Sequence, residues 1–184
     1  MKKKRNRGIQ LLLPLCVVGL LAFYLIARGL NSKQDMINSM GAKAAPTWEL
    51  PDATGKKYRL ENFKGKVVLL HFWASWCAPC LEEIPQWVEL GTRYKDHPVM
   101  LIAVSLDKNW EDAQKVLPQQ NLNPSQLVSF LDISGKTPDD YGTYQFPETY
   151  LINKDQRIVM KWVWPQAWDR PEIHKMIDQV LQAQ

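Results

Sequence analysis

The sequence predicts one α/β domain behind a short N-terminal segment of different character, and three observations point to it. Two runs, Val67-Val68-Leu69-Leu70-His71-Phe72-Trp73 and Pro98-Val99-Met100-Leu101-Ile102-Ala103-Val104-Ser105-Leu106, are apolar through successive residues, as strands covered on both faces of a sheet are. Each is followed by apolar residues at helical spacing: Leu81, Ile84, Trp87, Val88 and Leu90 after the first, Trp110, Ala113, Val116 and Leu117 after the second. The length, 184 residues, suits one domain with a full core plus a small addition.

That addition is N-terminal. Residues 1–8 carry Lys2, Lys3, Lys4, Arg5 and Arg7, and a mostly apolar stretch runs from Ile9 to Ala27, just long enough for one membrane-spanning helix. Gln10 and Pro14 lie near its start, where a polar residue and a missing N–H are best tolerated. The basic flank predicts a cytoplasmic N-terminus and an exported remainder. A cleaved signal peptide begins the same way, but Ala27-Arg28-Gly29 makes a poor cleavage site and Leu15 before Cys16 is wrong for a lipoprotein. An uncleaved signal-anchor is the preferred reading. The five basic residues before residue 8 exceed the chain's net charge of +4, which leaves the rest at about −1. So small a charge argues against nucleic-acid binding. Residues 28–44, rich in Asn, Ser and Gln, read as a linker that lets the domain stand off the membrane.

The domain, residues 45–184, opens with Thr47-Trp48-Glu49-Leu50, Pro51-Asp52-Ala53-Thr54-Gly55 and Lys56-Lys57-Tyr58-Arg59-Leu60, which read as strand, turn, strand. Residues Glu61 to Lys66 turn the chain into the strand at 67–73. The motif Trp76-Cys77-Ala78-Pro79-Cys80 and its helix follow, and Pro85 is expected to kink that helix. After the strand at 98–106 come a helix over Asp107 to Gln120, a turn at Asn121-Leu122-Asn123-Pro124 and a strand at Leu127–Leu131. Asp132 to Gly142 form a turn and a short helical piece. Phe146-Pro147-Glu148-Thr149-Tyr150-Leu151-Ile152 leads into another strand, and a turn at Asn153–Gln156 joins it to a strand at Arg157–Trp164. A last helix begins at Asp169-Arg170-Pro171-Glu172 and presents Ile173, Met176, Ile177, Val180 and Leu181 on one face.

Two thiols separated by two residues at the start of a helix form a reversible redox pair. The helix N-terminus favours the Cys77 thiolate, so Cys77 is expected to be the exposed, attacking sulfur and Cys80 the buried one that resolves the mixed disulfide. Pro79 suits the first helical turn. The same spacing supplies half of a zinc site, but Cys16 lies in the apolar run and His71, His97 and His174 are scattered, so no metal site and no cofactor are expected. Glu83 follows Cys80 by one turn and leans toward the thiols, whereas Glu82 points to solvent.

Phe72-Trp73-Ala74-Ser75-Trp76-Cys77-Ala78-Pro79-Cys80, with Gly65-Lys66-Val67-Val68 ahead of it, resembles the thioredoxin superfamily, and within it the membrane-anchored TlpA/ResA/CcmG (DsbE) branch of bacterial thiol-disulfide oxidoreductases. The resemblance covers about residues 45–182. It implies a thioredoxin-like fold, a central mixed sheet flanked by helices, with an N-terminal β-hairpin, a central αβ insertion and one transmembrane helix ahead of it. It implies a Cys77–Cys80 disulfide, a tuning carboxylate at Glu83 and a cis Phe146–Pro147 bond. Trp76, Phe146 and Pro147 would meet the substrate chain. It further implies protein-disulfide reduction at the periplasmic face of the inner membrane, with apocytochrome c or its maturation factors as substrate and a DsbD/CcdA-like membrane protein as reductant.

His71 stands where thioredoxin has a buried acid; the preferred reading is a packed histidine, the other a proton carrier for Cys80. Glu148 either adds charge near the site or faces water. Trp162, Trp164 and Trp168 depart from the family's usual glycine-containing turn and read as packing residues or, alternatively, a partner groove. Two other functions fit less well. A peroxiredoxin-like peroxidase needs proline and threonine ahead of its cysteine, where this chain has Trp73, Ala74, Ser75 and Trp76; a copper chaperone of the Sco kind spaces its cysteines by three residues.

Overall fold

The computed structural model describes residues 43–117 and 127–183. The predicted anchor, Ile9 to Ala27, lies outside them, as do the linker up to residue 42 and the turn at Asn121–Pro124. Among the described residues no helix is long and apolar enough to cross a membrane.

The elements are β1 (Lys43–Ala44), β2 (Glu49–Pro51), β3 (Lys57–Arg59), β4 (Val67–Trp73), α1 (Ala78–Arg93), β5 (Val99–Ser105), α2 (Trp110–Val116), β6 (Leu127–Leu131), α3 (Lys136–Tyr141), β7 (Glu148–Ile152), β8 (Arg157–Val163) and α4 (Pro171–Gln182). Six strands form one mixed sheet in the order β1-β8-β7-β4-β5-β6. The β4–β5 and β5–β6 pairs are parallel, and the β4–β7, β7–β8 and β8–β1 pairs are antiparallel. Every residue of β4 is buried, which explains its unbroken apolar run. Full burial of each of its leucines contributes about 2 kcal/mol.

One face of β4 sends Val68, Leu70 and Phe72 into a core with Met100, Ile102, Val104, Phe130 and Ile152. The β2–β3 hairpin closes over that face: the Trp48 and Tyr58 rings lie 5.4 and 5.3 Å from Phe130. The Asp52 carboxylate makes the hairpin turn by accepting from the Thr54 and Lys56 N–H groups, and Gly55 supplies the positive φ of 83°. The opposite face carries Leu69, His71 and Trp73 and is covered by α1, whose Trp87 ring lies 5.0 Å from His71. Helix α4 buries Ile173, Ile177 and Val180 and joins α1 through Tyr94, whose hydroxyl donates to Asp178 at 3.0 Å.

Several boundaries differ from the sequence reading. Lys43 and Ala44, placed in the linker by composition, pair with Ile158 and Arg157 and form the sheet's first strand. The helix expected from Asp107 starts at Trp110, because the Asn109 side chain accepts from the Asp112 N–H at 3.0 Å and caps it. It ends at Val116, with Leu117 closing it. Arg170, not Asp169, occupies the N-cap of α4, and Pro171 takes the first turn, where its missing N–H costs nothing. Helix α1 carries Pro85 inside it, on its exposed side.

Candidate active site

Strand β4 ends at Trp73, and the loop Ala74-Ser75-Trp76 delivers Cys77 to the N-cap of α1. Two hydrogen bonds close the first turn there: the Cys77 carbonyl accepts from the Cys80 N–H at 3.0 Å and from Leu81 at 3.2 Å. This folding is local, since Pro79 presets the φ of the first turn and leaves no orphan donor. Cys77 and Cys80 form a disulfide with Cα atoms 5.3 Å apart. Cys77 keeps 6 % of its surface and Cys80 none, so an incoming thiolate reaches Cys77.

The loop is held by a residue absent from the predicted site. Asp107, buried just beyond β5, accepts from the Ser75 N–H at 3.1 Å and from the Ser75 and Ser105 hydroxyls, each at 2.7 Å. An acid at the C-terminal end of a strand parallel to the motif strand was the available signal, and the periodic reading spent it on a helix. Asp107→Ala leaves the half-buried Ser75 N–H and two hydroxyls without their acceptor, and is expected to lower stability by about 3 kcal/mol. Urea unfolding followed by tryptophan fluorescence measures it, and a loss below about 0.5 kcal/mol would mean the loop is held elsewhere.

Behind Cys80, one turn along α1, Glu83 is buried. Its Oε2 accepts from the Gln166 N–H at 2.9 Å and from the Trp168 indole N–H at 3.0 Å. Burial pushes its carboxyl up to about 7, against those two hydrogen bonds. Its Oε1 faces His71 Nε2 at 3.5 Å, and neither atom has a hydrogen-bond partner among the described residues. The other imidazole nitrogen, Nδ1, lies 2.8 Å from the Thr149 hydroxyl. Burial pushes His71 down to about 3, so the pair is a neutral imidazole beside a carboxyl that gains or loses its proton near neutrality, and not a buried ion pair. His71 is therefore packed, as preferred from sequence, yet it faces the one acid behind the cysteines.

The second side of the site is the loop into β7. Its Phe146–Pro147 bond is cis, and the Phe146 ring meets Trp76 edge-on at 6.1 Å. Trp76, Phe146 and Pro147 are thus brought together at the end of the sheet where α1 begins. Glu148 does not face water: it is buried and paired with Lys161 at 2.8 Å and with the Tyr150 hydroxyl at 3.1 Å. It is the first residue of β7, and Lys161 reaches it from the neighbouring strand β8.

Two of the three tryptophans pack together and the third is exposed. Trp168 is buried, donates to Glu83 and meets Trp162 edge-on at 5.6 Å, whereas Trp164 is 59 % exposed. Gln166, Trp168 and Thr149 were not predicted as site residues, and their spacing from the cysteines carries no sequence signal.

A mixed sheet that presents a C-x-x-C disulfide at a helix N-terminus beside a cis-proline, with an acid behind the inner sulfur, defines a thioredoxin-fold thiol-disulfide oxidoreductase. The chain belongs to the AhpC/TSA family, whose model matches residues 42–161. It is similar to the thiol-disulfide oxidoreductase ResA of Bacillus anthracis, with 31 % identity over 92 % of this chain and 95 % of that protein. The ResA of Bacillus subtilis is 30 % identical over 86 % of each. A crystal structure from Chlorobium tepidum, named for the thiol:disulfide interchange protein DsbE, superposes with a TM-score of 0.66 and 33 % identity, over 76 % of this chain and 96 % of that one.

Proposed function

We propose that the protein is a membrane-tethered periplasmic reductase of protein disulfides. The observation that carries the reading is the disulfide itself, with its more accessible sulfur, Cys77, at the N-terminus of α1 and its inner sulfur, Cys80, one turn from a protonatable carboxylate.

In the dithiol form the Cys77 thiolate attacks a substrate disulfide, whose S–S bond breaks as the mixed disulfide forms and the released sulfur takes up a proton. Cys80 gives its proton to Glu83 and attacks the Cys77 sulfur of the mixed disulfide. The second substrate sulfur then leaves as a thiol, and the Cys77–Cys80 bond is restored. Two electrons pass to the substrate, and a dithiol donor returns them.

The basic residues before residue 8 and the apolar stretch from Ile9 to Ala27 support an inner-membrane anchor with the domain in the periplasm. Resemblance to the DsbE branch supports apocytochrome c or its maturation factors as substrate, and a DsbD/CcdA-like membrane protein as donor. The test is the reduction potential of the full chain equilibrated with dithiothreitol, read by tryptophan fluorescence. A reductase is expected near thioredoxin's value of about −270 mV; a value near DsbA's, about −120 mV, makes the protein an oxidant and removes the reading.

A further inference from the structure

Trp164 has a backbone φ of 72°. That left-handed conformation is natural to glycine and strained for a bulky side chain, so a tryptophan there needs a reason beyond the turn. The turn itself uses only backbone. The Trp164 N–H donates to the Pro147 carbonyl at 3.1 Å, and the Trp164 carbonyl accepts from the Gln166 side chain at 2.9 Å. Reversing the chain there lets the Gln166 N–H and the Trp168 indole reach Glu83. A glycine would make every one of those bonds without strain. What tryptophan adds is an indole 59 % exposed to solvent, on a residue whose backbone N–H is tied to the cis-proline carbonyl. Trp76, 65 % exposed, meets Phe146, the other half of the cis peptide, edge-on. The cis-proline loop is thus attached to an exposed tryptophan at each of its two residues, next to the loop that carries Cys77.

We propose that Trp164 is a specificity-determining residue of disulfide exchange, one that receives an aromatic or long aliphatic side chain adjacent to the cysteine of an extended polypeptide substrate. The occupant is a cysteine-bearing chain because the Trp164 backbone is bonded to the cis-proline loop, whose Phe146 ring meets Trp76 next to Cys77, and exchange requires the substrate's own sulfur at Cys77. On this proposal the side chain beside that sulfur lies against Trp164. The proposal rests on the reductase reading above.

The test uses the full chain, reduced and freed of reductant, in single-turnover exchange with two disulfide-linked peptides that differ only in carrying leucine or serine next to the cysteine. Wild-type protein is expected to reduce the leucine peptide about tenfold faster. Trp164→Gly is expected to bring the two rates within about twofold by slowing the leucine peptide, and to raise the melting temperature by several degrees as the strain is released. Trp164→Asn, which tolerates the left-handed region, is expected to show the same loss of preference. A Trp164→Gly protein that keeps the wild-type preference overturns the proposal, as do equal wild-type rates with the two peptides. So does failure of both variants to fold, which would give the indole a structural role. Wild-type protein that reduces neither peptide overturns instead the reductase reading beneath it.

Discussion

Replacing Cys80 with serine is expected to leave a protein that attacks its substrate but cannot release it. Cys77 still forms the mixed disulfide, and with the inner thiol gone the adduct persists until an external thiol arrives. A thiol held one helical turn away acts at an effective concentration far above any millimolar external thiol, so turnover should fall on the order of a thousandfold or more. The adduct should appear as a covalent species on non-reducing gels and by intact mass, and dithiothreitol should dissolve it. Cys77→Ser should give neither turnover nor adduct. The unequal burial of the two sulfurs motivates the assignment. Adduct formation by Cys77→Ser in place of Cys80→Ser would reverse the roles of the two cysteines and discard the order of steps proposed above.

Glu83→Gln is expected to change how both stability and rate depend on pH. The Glu83 carboxyl sits at about 7 in the folded protein against an ordinary 4.5, because burial disfavours its charge. Between those values the folded state holds a proton that the unfolded state has lost. Stability therefore falls as pH rises from 4.5 to 7 and levels off above it, by about 3 kcal/mol in all. Glutamine keeps the acceptor for the Gln166 and Trp168 N–H groups, and its amide faces His71 Nε2 as the protonated acid would. The variant should lose that slope and be the more stable protein at pH 8. Its resolving step should lose the inflection near pH 7 and slow by about a hundredfold, because no base remains to take the Cys80 proton. Chemical denaturation at a series of pH values, together with stopped-flow decay of the mixed disulfide, separates the two effects. An unchanged rate profile with a flattened stability profile would leave Glu83 a buried acid without a part in the exchange.

The two legible parts of the site were those written in contiguous residues. Cys77, Pro79, Cys80 and Glu83 lie within one stretch whose strand, turn and helix follow from apolar runs, a first-turn proline and helical spacing. Phe146-Pro147 was legible through resemblance, and its ring contact with Trp76 was not. The errors have physical causes. Asp107 reads as a helix residue because nothing in its own neighbourhood reveals that Ser75, 32 positions earlier, needs an acceptor. Glu148 reads as a surface or site charge because its cation, Lys161, becomes a neighbour only when β7 and β8 pair. A two-residue strand such as β1 has no periodicity to detect at all.

By itself, then, the sequence determined the redox pair, the order of its strands and helices and the acidic side chain one turn behind the inner sulfur, because each depends on residues within a turn or a strand of one another. Only the tertiary structure decided what surrounds that acid. His71 arrives from β4, and Gln166 and Trp168 come from beyond the left-handed turn at Trp164, more than 80 positions along the chain from Glu83. The proton affinity of Glu83 is set by that burial and by those donors. It is a property of the packed arrangement, to which local spacing contributes nothing.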